Sequence, residues 1–395
     1  MWNQETVDEV FSRNASTARS EMLPVEAIEE KPIAEETVAG RRGELPWKPL
    51  RRIACFFGVI VLLSFVMHAM VTSGLRHIKT SAFGAENQIM EGKVNAQIVI
   101  AGSSRALAHY DPRTIQMATG RTAFNLGRNG AQTDMQVAFL KAYLSHNRKP
   151  DIVLFNLDAF TFVTSREIFD PVEYMPYLYD HNLYDALRKI NPGIWKSRYI
   201  PLYGYVVEDM NFSWVLGLKG FWGRSPREDY FLGFNPRSTR WTDEYERLKT
   251  NNPNGVRFEI EPAGIEIVED LIHVCHERGI QLIFVYSPEY IEMQSLTKNR
   301  QEVFEHFHEL SDRFNVPMWD YSNWKYAGNR DYFQNSQHLN ATGAAVFSNY
   351  IGDRLKTYLA AESRVAGESR RLVPTTCFRG QGSTAASDLF FPTCP

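Results

Sequence analysis

The sequence predicts an α/β fold: a parallel sheet covered by helices on both faces, preceded by one transmembrane helix and interrupted by an aromatic-rich insertion. Three observations carry this. Residues 53–71 form an almost unbroken apolar run without a charge. From Ala96 onward, short β-branched runs alternate with helical patterns, as βαβ units do. Between about 159 and 257 the alternation stops, and Tyr, Trp and Phe become dense.

Composition bounds the chemistry. A chain of 395 residues has room for one large or two average domains. Hydrophobic residues at 44% and aromatics at 13% suffice for a sizeable core. A net charge of −3 gives no reason to expect nucleic acid as a partner. The four cysteines, Cys55, Cys275, Cys377 and Cys394, form no CxxC or Cys/His cluster, so no metal site is expected. Cys55 and Cys275 fall in apolar or helical patterns and read as inert core thiols. Cys377 and Cys394 lie in a tail, where an oxidising compartment would let them pair.

Residues 1–46 are polar and acid-rich, with no apolar period, and read as a disordered cytoplasmic tail. A transmembrane helix is expected over 50–74. Its apolar core, Ile53 to Val71, reaches ~28 Å at ~1.5 Å per residue, close to the ~30 Å of bilayer hydrocarbon. A cleaved signal would have a shorter core nearer the N-terminus, and a lipidated cysteine would follow such a run, whereas Cys55 lies at its start. Arg41, Arg42, Lys48, Arg51 and Arg52 precede the run, and only Arg76 and Lys79 follow closely. The positive-inside rule therefore puts the N-terminus in the cytoplasm and the main domain outside, periplasmic or at the cell surface. Trp47 is placed to sit at the interface.

An α/β domain is expected over 90–360. Gln97–Ala101 is its first strand. Asp111 as N-cap, Pro112 at the first helical position and Gly120 past the end bracket a short helix. Ala123–Leu126 is the second strand, and Thr133 with Gln136 reads as a capping box for a helix to about Ser145. Asp151–Leu157 is the third strand. The insertion, 159–257, reads as a lid or substrate wall whose aromatics mostly form a small core of their own. Pro262–Arg278 is helical and stopped by Gly279. Gln281–Tyr286 is the fourth strand. Val303, Phe304, Phe307, Leu310 and Phe314 share one helical face, Val316–Asp320 is a short fifth strand, and 341–359 is the final helix. Residues 361–395, rich in Ser, Arg, Gly, Thr and Pro, read as a disordered tail.

Candidate chemistry gathers at strand ends. Ile98 to Ala101 stops at Gly102-Ser103-Ser104-Arg105, which is either a nucleophile on a strand-to-helix turn or a serine N-cap. Far along the chain, Asn335-Ser336-Gln337-His338 offers a base. Asn125-Leu126-Gly127-Arg128-Asn129-Gly130 follows the second strand, and Phe155-Asn156-Leu157-Asp158 ends the third.

Together these four stretches resemble the SGNH (GDSL-type) hydrolase superfamily, over roughly residues 96–160 and 262–359. The resemblance implies a flavodoxin-like, three-layer α/β/α fold. It makes Ser104 the nucleophile, with Ser103 in the Asp slot of Gly-Asp-Ser-Leu. Gly130 takes the position whose backbone N–H meets the oxyanion, and Asp158 the position of an oxyanion-site Asn. His338 matches the base of Asp-x-x-His, while Asn335 replaces its Asp. An Asn can orient His338 through its amide oxygen but brings no charge, and in a serine triad that change can cost ~10⁴-fold. Asp320 and Asp331 are alternative acids. A carboxylate at 158 would repel an oxyanion unless protonated or turned away. Arg105 could hold a carboxylate or phosphate, although a structural ion pair is the preferred reading.

The resemblance further implies a membrane-anchored serine esterase or O-acyltransferase. Anchored members act on envelope or exported polysaccharides, adding or removing acetyl groups, or help to D-alanylate cell-wall polymers. The partners so implied are the lipid bilayer, a polysaccharide substrate and a membrane acyl-donor protein; no cofactor is implied. The alternative is a catalytically inactive SGNH-fold binding or assembly subunit, for which Asn335 and Asp158 speak. A nucleotide or redox module would need Gly-x-Gly-x-x-Gly spacing, which Gly102-Ser103-Ser104 lacks.

Overall fold

A computed structural model of the chain describes residues 47–207, 212–226, 230–237 and 240–371. The expected cytoplasmic tail, Cys377 and Cys394 lie outside the described residues.

The first element is a long helix, α1 (Trp47–Arg76), followed by α2 (Ser81–Met90). Five parallel strands follow: β1 (Ile98–Ala101), β2 (Ala123–Asn125), β3 (Ile152–Asn156), β4 (Gln281–Tyr286) and β5 (Met318–Asp320). Between them run α3 (Ser104–His109), α4 (Pro112–Thr119) and α5 (Thr133–His146). After β3 come α6 (His181–Ile190), α7 (Trp195–Tyr199), α8 (Tyr203–Val206), α9 (Ser213–Phe221) and α10 (Glu244–Asn251). The chain then returns to the sheet through α11 (Pro262–Glu277), and after β4 adds α12 (Ile291–Leu296), α13 (Arg300–Phe314) and, after β5, α14 (Ala341–Arg371).

The strand order is β2-β1-β3-β4-β5. The connection from β1 goes to one side and the connection after β2 returns to the other, so the sheet has its switch point between β1 and β3, where open α/β sheets place ligands. Side chains alternate strictly between two cores. Val99, Ala101, Val153, Phe155, Leu282 and Phe284 meet α5, α11 and α13. Ile98, Ile100, Ile152, Leu154, Ile283 and Val285 meet α3, α4 and α14. Burial on both faces explains why these strands read as continuous β-branched runs rather than alternating ones. The result is the three-layer α/β/α arrangement with a parallel sheet.

Local signals act largely as expected. Asp111 accepts from the Arg113 backbone N–H at 2.9 Å, and Gly120 closes the helix in the left-handed region at φ +69°. Three details differ. The helix at 133 has no capping box: Thr133 Oγ donates to the Thr161 carbonyl, because the segment after β3 supplies a nearer acceptor. The last helix continues to Arg371, past residue 359. Cys275 is buried, but Cys55 is exposed on α1.

The aromatic segment after β3 divides. Tyr174, Tyr184 and Tyr205 are buried in a third cluster, which also takes in Val71 and Leu75 from the end of α1 and Ile78 just after it. Tyr199, Trp214 and Trp222 remain exposed.

Candidate active site

The turn after β1 decides which serine is reachable. Gly102 has φ +146°, a conformation that favours glycine, and a Cβ there would press on the Cβ atoms of Ala106 and Asn156 at 2.9 Å. Ser103 is buried and caps α3: its Oγ accepts from the Arg105 backbone N–H at 3.1 Å. Ser104 is the first helical residue, and it alone between Ala101 and Tyr110 is not fully buried. Ser103 thus takes the N-cap reading of the turn, and Ser104 is left reachable beside it.

His338 arrives from the loop between β5 and α14. That loop is closed by the Gln334 N–H donating to the His338 carbonyl at 2.8 Å and by the Asn340 N–H donating to the Tyr332 carbonyl at 3.0 Å. Asn340 Oδ1 then accepts from the Gly343 N–H at 3.0 Å in the first turn of α14. On the other side, the Leu339 N–H donates to His109 Nε2 at 3.0 Å, and His109 Nδ1 donates to Ser287 Oγ at 2.9 Å. Burial, reinforced by the Arg105 cation, keeps the pKa of His109 well below the ordinary imidazole value. His109 is therefore a neutral acceptor that pins the His338 loop.

The hydrogen bonds also fix the tautomer of His338. Asn335 Oδ1 accepts from the backbone N–H groups of Gln337 at 3.0 Å and His338 at 2.9 Å, which identifies it as the oxygen. It lies 3.0 Å from His338 Nδ1, so that nitrogen carries the proton. His338 Nε2 presents its lone pair to Ser104 Oγ at 2.8 Å. This is the geometry a nucleophile and its general base require. Burial, followed by the Arg237 cation, lowers the His338 pKa below the ordinary value.

One further group was hidden in the sequence. Asn335 Nδ2 donates to Glu244 Oε2 at 2.7 Å. Glu244 opens α10, whose next residue, Tyr245, is buried edge-on against Trp241 and Tyr290. Tyr290 in turn donates its backbone N–H to the Ser336 carbonyl at 2.9 Å. An exposed carboxylate thus stands at the end of a chain running Ser104, His338, Asn335, Glu244. No motif or spacing ties residue 244 to residue 335; the weak cue is an acidic first turn flanked by aromatics.

Arg105 and Asp158 form a separate, buried ion pair at 3.1 Å. The guanidinium also donates to the Ser287 carbonyl and lies over the Tyr286 ring, 4.7 Å from its centroid. Asn156 Nδ2 donates to the same Asp158 oxygen at 3.2 Å. Burial pushes the Asp158 carboxyl up, while Arg105 and Ser103 pull it down. The carboxylate is turned onto Arg105, so the two residues occupy each other instead of standing free for an anion.

Gly130 lies exposed in the loop after β2 with φ +64°, its Cα against the Phe169 ring where a Cβ would collide. That loop is stitched to the turn after β1: the Arg128 N–H donates to the Gly102 carbonyl at 3.0 Å. Arg237, from the aromatic segment, reaches Asn129 Oδ1 at 3.3 Å. Arg128 itself is buried, bonded to Glu86 and Glu173 and lying over Phe139 and Tyr174. Asp320 accepts instead from the Ser322 N–H at 2.8 Å, and the imidazole Nδ1 is taken by Asn335. Among the described residues no group of His, Cys, Asp and Glu is placed to hold a metal ion.

No family model and no curated protein matches the chain. Among solved structures it is similar to the psychrotrophic esterase EstA from a Pseudoalteromonas species, in a form inhibited by monoethylphosphonate. Identity is 12%, with 67% of this chain and 98% of that one covered and a TM-score of 0.35. It is also similar to a candidate platelet activating factor from Streptococcus pneumonia, at 12% identity, 77% and 99% coverage and a TM-score of 0.36. A candidate acylhydrolase from Bacteroides fragilis follows at 10% identity, 66% and 87% coverage and a TM-score of 0.33.

Proposed function

We propose that this chain is a membrane-anchored serine esterase or O-acyltransferase of the SGNH type. It acts outside the cytoplasm on an acylated, most simply acetylated, envelope or exported polysaccharide. The observation that carries the reading is the unbroken hydrogen-bond chain from Ser104 through His338 to Asn335. Support for the anchor comes from α1, 30 residues long with a mean hydropathy of 2.4 over its most apolar stretch, and from the basic residues before it.

In the proposed reaction His338 Nε2 takes the proton of Ser104 Oγ as that oxygen bonds to the acyl carbonyl carbon. The N–H groups of Gly130 and Ser104 stabilise the oxyanion; one such donor is typically worth ~3–4 kcal/mol. The imidazolium returns the proton to the departing alcohol oxygen, leaving an acyl-serine. Water then completes hydrolysis, or a sugar hydroxyl completes transfer, each activated by the same base. A membrane acyl-donor protein is the natural source of the acyl group for transfer. No cofactor enters either path.

The competing reading is an inactive binding or assembly subunit, favoured by the neutral Asn335. Turnover of p-nitrophenyl acetate by the full chain in detergent separates the two. The enzyme reading expects turnover that Ser104→Ala lowers about 10⁴-fold, and faster nitrophenol release on adding a polysaccharide acceptor if transfer dominates. A folded parent protein no faster than Ser104→Ala contradicts it.

A further inference from the structure

Helix α3 carries more of the site than its first residue. Ser104 opens it and His109 ends it, about 7.5 Å further along the axis at ~1.5 Å per residue. His109 is fully buried, and its ring stands edge-on to the His338 ring with 6.3 Å between centroids. Both of its nitrogens are engaged. Nε2 accepts from the Leu339 N–H at 3.0 Å, and Nδ1 donates at 2.9 Å to Ser287 Oγ in the loop after β4. The Ser287 carbonyl in turn accepts from the Arg105 guanidinium. Arg105 follows Ser104 in the chain, and Leu339 follows His338. The contacts therefore close into a ring that runs Ser104, Arg105, Ser287, His109, Leu339, His338 and back to Ser104 Oγ.

This ring refers the serine and the imidazole to one short, rigid element. Other backbone bonds also hold the His338 loop. The Thr242 N–H donates to the Gln334 carbonyl at 2.9 Å, the Tyr290 N–H to the Ser336 carbonyl at 2.9 Å, and the Ala341 N–H to the Arg237 carbonyl at 2.6 Å. They come from the aromatic segment and from the loop after β4, so they place the loop against its surroundings rather than against Ser104. The His109 bond is made from α3 itself, to the residue next to His338. The far end of α3 is fixed as well: Ser348 Oγ of α14 donates to the His109 carbonyl at 3.3 Å and accepts from the Asp111 N–H at 2.8 Å. The Leu339 N–H needs a lone pair on Nε2, so the ring works only while the His109 proton stays on Nδ1, where Ser287 Oγ receives it.

We infer that His109 is a positioning residue for the base: through the Leu339 N–H it sets where His338 Nε2 stands relative to Ser104 Oγ, and Ser287 keeps it in the tautomer that can do so. This rests on the proposed attack by Ser104. His109 bonds to neither Ser104 Oγ nor His338 Nε2, so its loss acts on kcat and leaves KM near the parent value.

Hydrolysis of p-nitrophenyl acetate by the full chain in detergent, with two variants of one position, tests this. In His109→Gln the amide oxygen reaches the place of Nε2 and accepts from Leu339; in His109→Asn the side chain is one bond too short. Expected falls in kcat are below about 5-fold for the first and about 100-fold for the second, the scale of a ~1 Å misplacement, with KM within about 2-fold in both. Equal losses in two variants that melt with the parent, or an Asn variant as fast as the parent, overturn the inference and leave the Ser104 reaction standing. Ser287→Ala keeps the His109 ring and removes only the acceptor of its proton, so it decides the matter if both His109 variants unfold. It should lower kcat about 10-fold at unchanged KM, and an unchanged kcat overturns the inference. A folded parent no faster than Ser104→Ala removes the reaction itself, and this inference with it.

Discussion

In the sheet, the candidate site is placed by regular elements. β1 ends on Gly102 and hands Ser104 to α3, while the loop held by His109 and capped by Asn340 hands over His338. Between β3 and α11 the opposite holds. The helices are short, Leu202 and Phe212 adopt positive φ, and order comes from aromatic clusters. Yet this segment supplies Glu244, which accepts from Asn335, and Arg237, whose cation acts on His338. The comparison teaches a division of labour: the rigid sheet fixes Ser104 and His338, and the irregular segment places charges around them.

The largest effect expected from breaking that division lies beside the Ser104 turn, at the buried Arg105–Asp158 pair. Arg105→Met leaves Asp158 buried and unpaired, and should lower stability by about 3–5 kcal/mol, the usual cost of removing one partner of a buried pair. Thermal denaturation with Arg105→Met and Arg105→Met/Asp158→Leu checks it, the double variant recovering most of the loss. An equal loss in both would show that the pair is not what matters.

Next comes the chain's outer end. Asn335→Asp sets a second carboxylate against Glu244, and Glu244→Gln removes the carboxylate to which Asn335 donates. We expect a fall in kcat/KM of about 10- to 100-fold for the first and about 10-fold for the second, since Glu244 is exposed and screened. Together, Asn335→Asp with Glu244→Gln rebuilds a carboxylate on His338 with an amide donor behind it, and should recover most of the loss. Additive losses in the double variant would remove Glu244 as a positioning residue.

The smallest effect is on pH. A base with a lowered pKa stays neutral to lower pH, so the acid limb of kcat/KM should fall below pH 6.5. Arg237→Met removes a cation that disfavours imidazolium. The limb should then move up by less than about one pH unit, with little change in the plateau. A limb that does not move would place Arg237 outside the site's field.

The difference between the two regions also explains what the sequence discloses. Strands buried on both faces write themselves as apolar runs, and Asp111, Pro112 and Gly120 punctuate a helix by local rules alone. Ser104, His338 and Asn335 stand out because strand ends and a three-residue spacing hold them. Glu244 stays hidden because its place depends on Tyr245 packing against Tyr290, a contact between distant residues with no periodic trace. Arg105 reads as half of an ion pair, but its partner Asp158 emerges only once β1 and β3 lie side by side. Thr133 misleads for the same reason, its hydroxyl being taken by Thr161 from across the fold.

The central claim is that Ser104 is a nucleophile activated by His338. Labelling of the full chain with a fluorophosphonate probe tests it most directly. The account predicts labelling of the parent protein, none of Ser104→Ala, and strongly slowed labelling of His338→Ala. A folded parent chain that takes up no probe, or labelling that persists in Ser104→Ala, would contradict it.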